Sequence, residues 1–323
     1  MIKKNQYAIG IDIGGTTTKF GIVDHRGDTL YRGVIATNKY ENIEPYLDEL
    51  AEALTPAIEE VGGIDTIKGI GIGAPNGNYY NGTIEYAPNL PWIGIVPLAK
   101  LVQHKFGVPA ALTNDANAAA VGEMLYGAAR GMKDFIMITL GTGVGSGIVA
   151  NGQLILGHDG FAGELGHTII VPGGRLHWST GHHGSLEAYA SATGLTMTAN
   201  EFLEQRPKEK SLLRNYTKEE IDSRLVFECA IQGDAIAKDA YAFTGKILGE
   251  ALANFVMFSS PEAIILFGGL TKAGDLIMKP TKEHMEKNLL PIFQNKVKLI
   301  FSELKEADAA ILGASALVWE MKN

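Results

Sequence analysis

Two stretches of the sequence decide the fold: AIGIDIGGTTTKFGIVDHRGDTL at residues 8–30 and FIMITLGTGVGSGIVANGQLI at residues 135–155. Each contains an apolar run, then a turn rich in Gly and Thr, then a second apolar run. The first ends in a polar turn with Gly27, and the second ends in Asn151-Gly152, a pair that favours a hairpin turn. Because the pattern recurs about 127 residues apart, it predicts an internal duplication and two related lobes.

The segments around these stretches alternate between strand and helix patterns. Buried strands are predicted at 67–75, 109–115, 262–270 and 296–304, and helices at 97–107, 116–127, 234–258 and 308–323. Thr217 and Glu220 form a possible capping box, which would start a further helix. The alternation indicates an α/β architecture.

Composition narrows the class of protein. The chain has 323 residues with 46% hydrophobic content, enough for two domains with sizeable cores. Its 36 acidic and 28 basic residues give a net charge of -8, which argues against nucleic acid and anionic membranes as partners. A single cysteine, Cys229, excludes an internal disulfide framework. With no signal peptide and no long apolar run, the sequence predicts a cytoplasmic protein.

The two glycine-rich turns are candidates for phosphate binding. Gly14 and Gly15 allow close backbone approach, Thr16, Thr17 and Thr18 offer hydroxyls, and Lys19 offers a cation. LGTGVGSG at 140–147, with four glycines, could bind phosphate in the same way, although a plain hairpin is the alternative for either turn. GSGIVA at 145–150 fits a loose dinucleotide fingerprint, but a hairpin follows it where a helix is required, and no P-loop pattern is present.

Several carboxylates stand where chemistry or capping would use them. Asp115 follows a strand and precedes a helix, so it is either an active-site carboxylate or a helix N-cap. Glu164 and His167 lie three residues apart in a Gly-interrupted segment. Glu187 opens a helical stretch, where a negative charge is favourable even without a ligand.

The segment GRLHWSTGHHGSLE at 174–187 raises the question of a metal site. Its three histidines, His177, His182 and His183, could surround an ion, but a solvated polar loop explains the same residues. The residues alone leave both interpretations open.

Taken together, six motifs resemble the ROK family of bacterial sugar kinases over nearly the whole chain. They are DIGGTTTK (12–19), APNLPW (87–92), TNDANAAA (113–120), LGTGVGSG (140–147), GELGH (163–167) and LFGGL (266–270). Among the members of the family, the chain is most similar to glucokinases. The resemblance implies a two-lobed actin-like ATPase (ribonuclease H-like) α/β fold, with an active-site cleft between the lobes.

The resemblance also implies a division of labour between the lobes. A smaller lobe at 1–117 plus 306–323 would carry the first phosphate loop and part of the sugar site. A larger lobe at 118–305 would carry the second phosphate loop, the adenosine site and a dimerisation surface. The residues expected to bind ATP and Mg²⁺ are Asp12, Gly14, Gly15, Thr16, Thr17, Lys19, Gly141, Thr142, Gly143, Gly145, Gly268 and Gly269.

For the sugar, the family pattern implies a set of polar side chains and one base. The set consists of Asn89, Asn114, Asp115, Glu164, His167 and Glu187, with Asp115 as the general base. The expected reaction is ATP-dependent phosphorylation of a hexose, above all glucose to glucose 6-phosphate, by a homodimer. An amino-sugar kinase for N-acetylglucosamine or N-acetylmannosamine, a fructokinase, and a sugar-sensing protein without turnover remain as alternatives.

In one motif the chain departs from the family. The family carries C-x-C-G-x-x-G-C-x-E before the position of Glu187, and its three thiolates join a histidine around a structural zinc. Here the cysteine positions hold Trp178, Thr180 and Ser185. We therefore predict that structural zinc is absent, and that Trp178 packing with hydrogen bonds from Thr180 and Ser185 holds the loop that orients His167 and Glu187.

Overall fold

Strands and helices alternate along the chain in this computed structural model, which describes residues 6–304 and 306–321. The strands are β1 (Tyr7–Ile13), β2 (Thr17–Asp24), β3 (Thr29–Ala36), β4 (Ile67–Gly73), β5 (Gly77–Asn78), β6 (Thr83–Glu85), β7 (Ile95–Val96), β8 (Ala110–Thr113), β9 (Phe135–Leu140), β10 (Val144–Ala150), β11 (Gln153–Leu154), β12 (Ala263–Phe267) and β13 (Lys298–Phe301). The helices are α1 (Ile43–Glu60), α2 (Leu98–Phe106), α3 (Asp115–Tyr126), α4 (Glu187–Ala190), α5 (Ala192–Gln205), α6 (Ser223–Ile231), α7 (Ala235–Ser259), α8 (Asp275–Asn288) and α9 (Glu306–Glu320).

Two five-stranded sheets share one topology, as the duplicated sequence pattern predicts. The first has the order β3-β2-β1-β4-β8 and the second the order β11-β10-β9-β12-β13. In each sheet, the first strand along the chain lies between its hairpin partner and a parallel strand. The first strands are β1 and β9, and their parallel neighbours are β4 and β12. Asn151 and Gly152 both have positive φ, +54° and +73°, which the turn between β10 and β11 requires.

The described chain divides into two compact units. The first comprises Met1–Met132, Gly147–Gly163 and Ser302–Asn323, and the second Lys133–Ser146 and Glu164–Phe301. The first unit extends past residue 117 because α3 packs along α9. Lys305, at the other predicted lobe boundary, lies outside the described residues. The assignment of functions to the lobes stays a prediction.

Glycines in the first sheet explain how α9 packs on it. A Cβ atom added at Gly10 of β1 would lie 2.1 Å from the carbonyl oxygen of Ile311, and one added at Gly71 of β4 would lie 1.8 Å from that of Ala314. Any side chain at these positions would push the helix away. The alternation of Gly with Ile therefore gives the sheet a flat face for α9, while Ile9, Ile11, Ile70 and Ile72 fill the core.

In the second unit, α5, α6 and α7 share one apolar cluster. It includes Leu195, Val226 and Ile236, all fully buried. The predicted helix start at Thr217 is wrong. Glu220 does accept the N–H of Thr217 at 2.7 Å, but α6 begins later, where the Asp222 side chain accepts the N–H of Leu225 at 2.7 Å. None of the helices in residues 6–304 and 306–321 is long and apolar enough to cross a membrane.

Candidate active site

The first glycine-rich turn joins β1 to β2 in the first unit. Gly14 N–H donates to the Thr17 carbonyl at 3.0 Å, and Thr37 N–H donates to the Thr16 carbonyl at 2.8 Å. These bonds close the turn and leave the Thr16 and Thr17 side chains exposed. Gly15 is required for packing, because a Cβ atom added there would lie 2.6 Å from the carbonyl oxygen of Asn89.

The third threonine of this motif, Thr18, is not exposed at the surface of the turn. Thr18 is fully buried, since side chains alternate along β2, and its hydroxyl bonds those of Thr37 at 2.8 Å and Tyr46 at 2.9 Å. The expectation that Thr18 offers a hydroxyl to phosphate is therefore wrong. The Tyr46 ring packs in turn against Trp92, with ring centroids 4.6 Å apart.

Asp12 and Asp115 both lie beside Gly73, at the end of β4. A Cβ atom added at Gly73 would lie 3.9 Å from Asp12 Oδ1 and 3.6 Å from the Cα of Asp115. Burial, and then the negative charge of Asp115, raise the pKa of Asp12 to about 6, while Lys19 acts in the opposite direction. Lys19 is the residue paired with Asp12 across β1 and β2. A cation beside Asp12 would relieve this repulsion.

Asp115 is the first residue of α3 and not its N-cap. Asn114 caps the helix, its Oδ1 accepting the Asn117 N–H at 2.7 Å. Asp115 keeps solvent-accessible surface, and its Oδ1 accepts the Ala116 N–H at 2.8 Å. Desolvation by the surrounding protein raises the pKa of Asp115, whereas the hydrogen bond from the Ala116 N–H lowers it. The carboxylate is thus held by backbone and remains accessible to a reactant.

Asn89 lies in the segment between β6 and β7. Its side chain is exposed, while Leu90 and Trp92 beside it are buried at 7% and 4% exposure. The buried neighbours fix the segment and point Asn89 outward. Asn89, Asn114 and Asp115 are therefore all accessible in the first unit.

The first unit also has an open depression of about 610 Å³ that contains none of the predicted site residues. Its lining consists of Asn78, Tyr80, Asn81, Glu85, His158, Asp159 and Phe161. Tyr80 donates to the Gly157 carbonyl at 2.9 Å and Asn78 to the Asp159 carbonyl at 2.8 Å, so these bonds serve the loop at 157–161.

The second glycine-rich turn, in the second unit, joins β9 to β10. Gly141 N–H donates to the Gly143 carbonyl at 3.0 Å, and Gly145 N–H donates to Thr139 Oγ1 at 3.1 Å. Thr142 is exposed at its tip. Gly268, with φ +104°, lies against the end of β9, where an added Cβ atom would be 2.5 Å from the Leu140 carbonyl oxygen. Gly269 next to it is exposed.

Glu187 connects this turn to the histidine segment. Its Oε2 accepts the Val144 N–H at 2.7 Å, and its Oε1 lies 2.6 Å from His177 Nε2. A Cβ atom added at Gly143 would stand only 2.3 Å from Glu187 Oε2. The favourable position of Glu187 at the start of α4 is real, but its carboxylate is engaged by residues outside that helix.

His167 and Glu164 lie on the short helical turn that precedes the histidine segment. Both side chains are exposed, and His167 Nε2 is 4.0 Å from Glu164 Oε2. The His167 ring meets the edge of the His177 ring, with centroids 5.8 Å apart. Glu164, His167 and Glu187 are thus neighbours within the second unit.

The three histidines of the segment at 174–187 do not surround one point. His177 is buried, whereas His182 and His183 are exposed, and His183 Nδ1 lies 2.8 Å from the Gly174 carbonyl oxygen. The residues that do come together are His167, His177 and Glu187, with their nearest nitrogen and oxygen atoms within 4.8 Å of one another. Sequence reasoning weighed His177 only as one histidine of three and missed its place beside Glu187.

The predicted replacements for the cysteines are partly wrong. Trp178 stacks on the His177 ring at 4.2 Å, and Thr180 Oγ1 accepts the His182 N–H at 3.3 Å. The Ser185 hydroxyl is buried with no hydrogen-bond partner in the described part of the chain. With no thiolate at these positions, the residues do not fit the family's zinc site.

Comparison with known proteins assigns the chain to a family. A model of the ROK family matches residues 8–321. A glucokinase of Halalkalibacterium halodurans is 36% identical over 99% of this chain and 97% of that protein. A xylose repressor of Caldicellulosiruptor bescii is 30% identical over 96% of this chain and 77% of that protein.

A solved structure from the same family is also similar to this chain. The ROK family glucokinase from Streptomyces griseus, in complex with glucose and AMPPNP, superposes with a TM-score of 0.80 at 32% identity, covering 98% of this chain and 100% of that one. The likeness confirms the predicted actin-like ATPase fold.

Proposed function

We propose that this chain, which belongs to the ROK family, transfers the γ-phosphoryl group of ATP to a hexose and that glucose is its preferred substrate. The proposal is carried by one observation: Asp12 and Asp115 both lie beside Gly73, close enough for their charges to interact, and the pKa of each carboxyl is raised. The similarity to the glucokinases supports glucose as the sugar and O6 as the hydroxyl that is phosphorylated.

Asp115 is the general base in this proposal. It accepts the proton of the attacking hydroxyl, and its raised pKa makes the carboxylate a better proton acceptor than an ordinary aspartate. The Ala116 N–H holds one oxygen at 2.8 Å and fixes the direction in which the carboxylate points. Asn89 and Asn114 bind sugar hydroxyls beside it.

Asp12 fits a role in holding Mg²⁺. Its carboxylate is half-buried near a second negative charge, and carboxylate oxygens are the ligands that Mg²⁺ prefers. Mg²⁺ bound with ATP supplies charge neutralisation of the phosphates. The exposed Thr16 and Thr17, in the turn that Gly14 and Gly15 form, would bind phosphate oxygens, and Lys19 would add a positive charge.

The second unit contributes two sets of groups to the proposal. The turn formed by Gly141, Thr142, Gly143 and Gly145 binds phosphate, with the exposed Thr142 at its tip, and Gly268 with Gly269 lie against the adenosine. Glu164, His167 and Glu187 bind sugar hydroxyls. Since a hydroxyl both donates and accepts, carboxylate and imidazole groups are suitable partners for it.

A sugar-sensing protein without turnover is the second candidate, because a xylose repressor is also 30% identical. The Asp12 and Asp115 pair favours the kinase, since a sensor needs no base. An amino-sugar kinase or a fructokinase would share the same hydroxyl contacts.

A coupled ADP-release assay over glucose, N-acetylglucosamine, N-acetylmannosamine and fructose tests the proposal. We expect sugar-dependent ADP release with Mg²⁺ and ATP, highest kcat/KM with glucose, and glucose 6-phosphate as the product by phosphorus NMR. A higher kcat/KM with another sugar would replace glucose as the substrate. Sugar binding with no ADP release from any of the four would favour the sensor.

A further inference from the structure

His177 is the buried member of the histidine segment, and its ring nitrogens have clear partners. The residue is 1% exposed. Nδ1 lies 3.2 Å from the backbone nitrogens of both Ser179 and Thr180. Backbone N–H groups only donate, so Nδ1 must be the accepting nitrogen of the ring.

This assignment fixes what the other nitrogen does. When Nδ1 of a neutral imidazole accepts, the ring proton is on Nε2. Nε2 lies 2.6 Å from Glu187 Oε1, so it donates a charge-assisted hydrogen bond to that carboxylate. Val144 N–H donates to the other oxygen at 2.7 Å. With one donor on each oxygen, the plane of the Glu187 carboxylate is fixed.

The ring itself is held by its neighbours. Trp178 stacks on one face at 4.2 Å with an angle of 23° between the planes, and His167 approaches at 5.8 Å and 69°. The ring therefore has little room to rotate and lift Nε2 away from Glu187. A carboxylate oxygen can accept more than one hydrogen bond, so each Glu187 oxygen keeps capacity for a sugar hydroxyl.

We propose that His177 is a positioning residue that orients Glu187 for the sugar through the Nε2–H bond, so that the loop at 174–187 does this without a metal ion. The inference rests on the proposed function for the identity of the ligand. It concerns Glu187 directly: without the donor, the carboxylate could turn about its last bond and lose the orientation that sugar binding requires.

Two substitutions separate the two sides of the imidazole. His177→Asn places an oxygen near the position of Nδ1, so it keeps an acceptor for Ser179 and Thr180 but removes the donor to Glu187. His177→Gln places an amide nitrogen near the position of Nε2, so it keeps the donor and loses the acceptor. Exposed His182 provides the control, His182→Asn, on the same loop.

Calorimetric titration of glucose in the absence of ATP gives the readout. We expect His177→Asn to weaken sugar binding about tenfold, the loss of roughly one charge-assisted hydrogen bond, while the KM for ATP stays within about twofold. His177→Gln should recover most of the affinity, and His182→Asn should match the wild type. If Asn preserves affinity better than Gln, or if the two fail equally, His177 only supports the loop and the proposal is overturned.

Two measurements on the unaltered protein apply even where a variant fails to fold. Two-bond ¹H–¹⁵N NMR should show His177 with the proton on Nε2, and a proton on Nδ1 would contradict the assignment. Elemental analysis of tag-free protein should show no zinc, and stoichiometric zinc, with glucose affinity lost on chelation, would overturn the metal-free arrangement. If the wild type binds glucose but phosphorylates no sugar, the proposed function fails while the His177 variants still test this inference; no glucose binding would overturn both.

Discussion

Replacing Asp12 by Asn should stabilise the protein while it removes activity. The folded environment raises the pKa of Asp12 from 3.8 to about 6. Above pH 6 the folded state therefore holds a carboxylate whose charged form is less favourable than in the unfolded chain. At about 1.4 kcal/mol per tenfold change in an acid constant, this costs at most about 3 kcal/mol of folding free energy at pH 7.5.

The sign of the pH dependence follows from the same values. Because the folded pKa is the higher one, the cost is present above pH 6 and disappears as the pH falls from about 6 to about 4. Asp12→Asn carries no such charge at any pH. The increase in its free energy of unfolding over that of the wild type should thus be largest at pH 7.5 and should approach zero near pH 4.

Urea unfolding followed by tryptophan fluorescence measures this difference. Two of the three tryptophans, Trp92 and Trp319, belong to the first unit with Asp12, so a Trp178→Phe background reports that unit alone. The experiment is run with EDTA, because a bound cation would offset the repulsion. Exposed Asp65, in the same unit, provides the control Asp65→Asn. An Asp12→Asn protein no more stable than the wild type at pH 7.5, or equally stabilised at pH 4, would refute the reasoning.

Three further predictions concern the site and the assembly. Asp115→Asn should lower kcat by about 10²- to 10⁴-fold with sugar affinity largely kept; near-normal turnover in the folded variant would rule out a general base. Gly143→Ala should weaken glucose binding measured without ATP, because its Cβ would stand 2.3 Å from Glu187 Oε2. The control Gly141→Ala should bind glucose normally, because a Cβ atom there meets no atom of the described residues within 4 Å, and equal effects of the two variants would disprove the contact. Static light scattering at micromolar concentration should give the mass of a homodimer, and a monomer would contradict the prediction.

Local patterns predicted much of the fold. The strand–turn–strand order at 8–30 and 135–155 depends only on residues that are adjacent in the sequence. The duplication could therefore be predicted from the sequence, and both sheets have the corresponding strand order. The proximity of Asp12 to Asp115 could not be predicted from local patterns. It depends on β1 and β8 both flanking β4, so that their carboxyl ends meet at one edge of the sheet. Strand order is a long-range property that no single motif encodes.

The histidine segment shows where sequence reasoning ended. A loop has neither the two-residue nor the 3.6-residue period that tells inside from outside, so His177 could not be separated from His182 and His183. Ser185 was expected to donate a hydrogen bond, but its hydroxyl is buried and has no hydrogen-bond partner among the residues that the structure describes. Similarly, a glycine pattern such as that around Gly10 and Gly71 gives no sign of which helix it receives.

The packing of α9 on β1 and β4 has a consequence for synthesis on the ribosome. Roughly 170 residues separate Met132 from Glu306, and they include the whole second unit. At about 5–20 residues per second, synthesis from Met132 to Glu306 takes on the order of 10 to 35 s, so β1 and β4 wait at least that long for the helix that covers them. Nascent chains of this protein cannot complete their units in order from the amino terminus, because the first unit is finished last. During that interval the strip of glycine and isoleucine along the first sheet is open to chaperones and to other nascent chains.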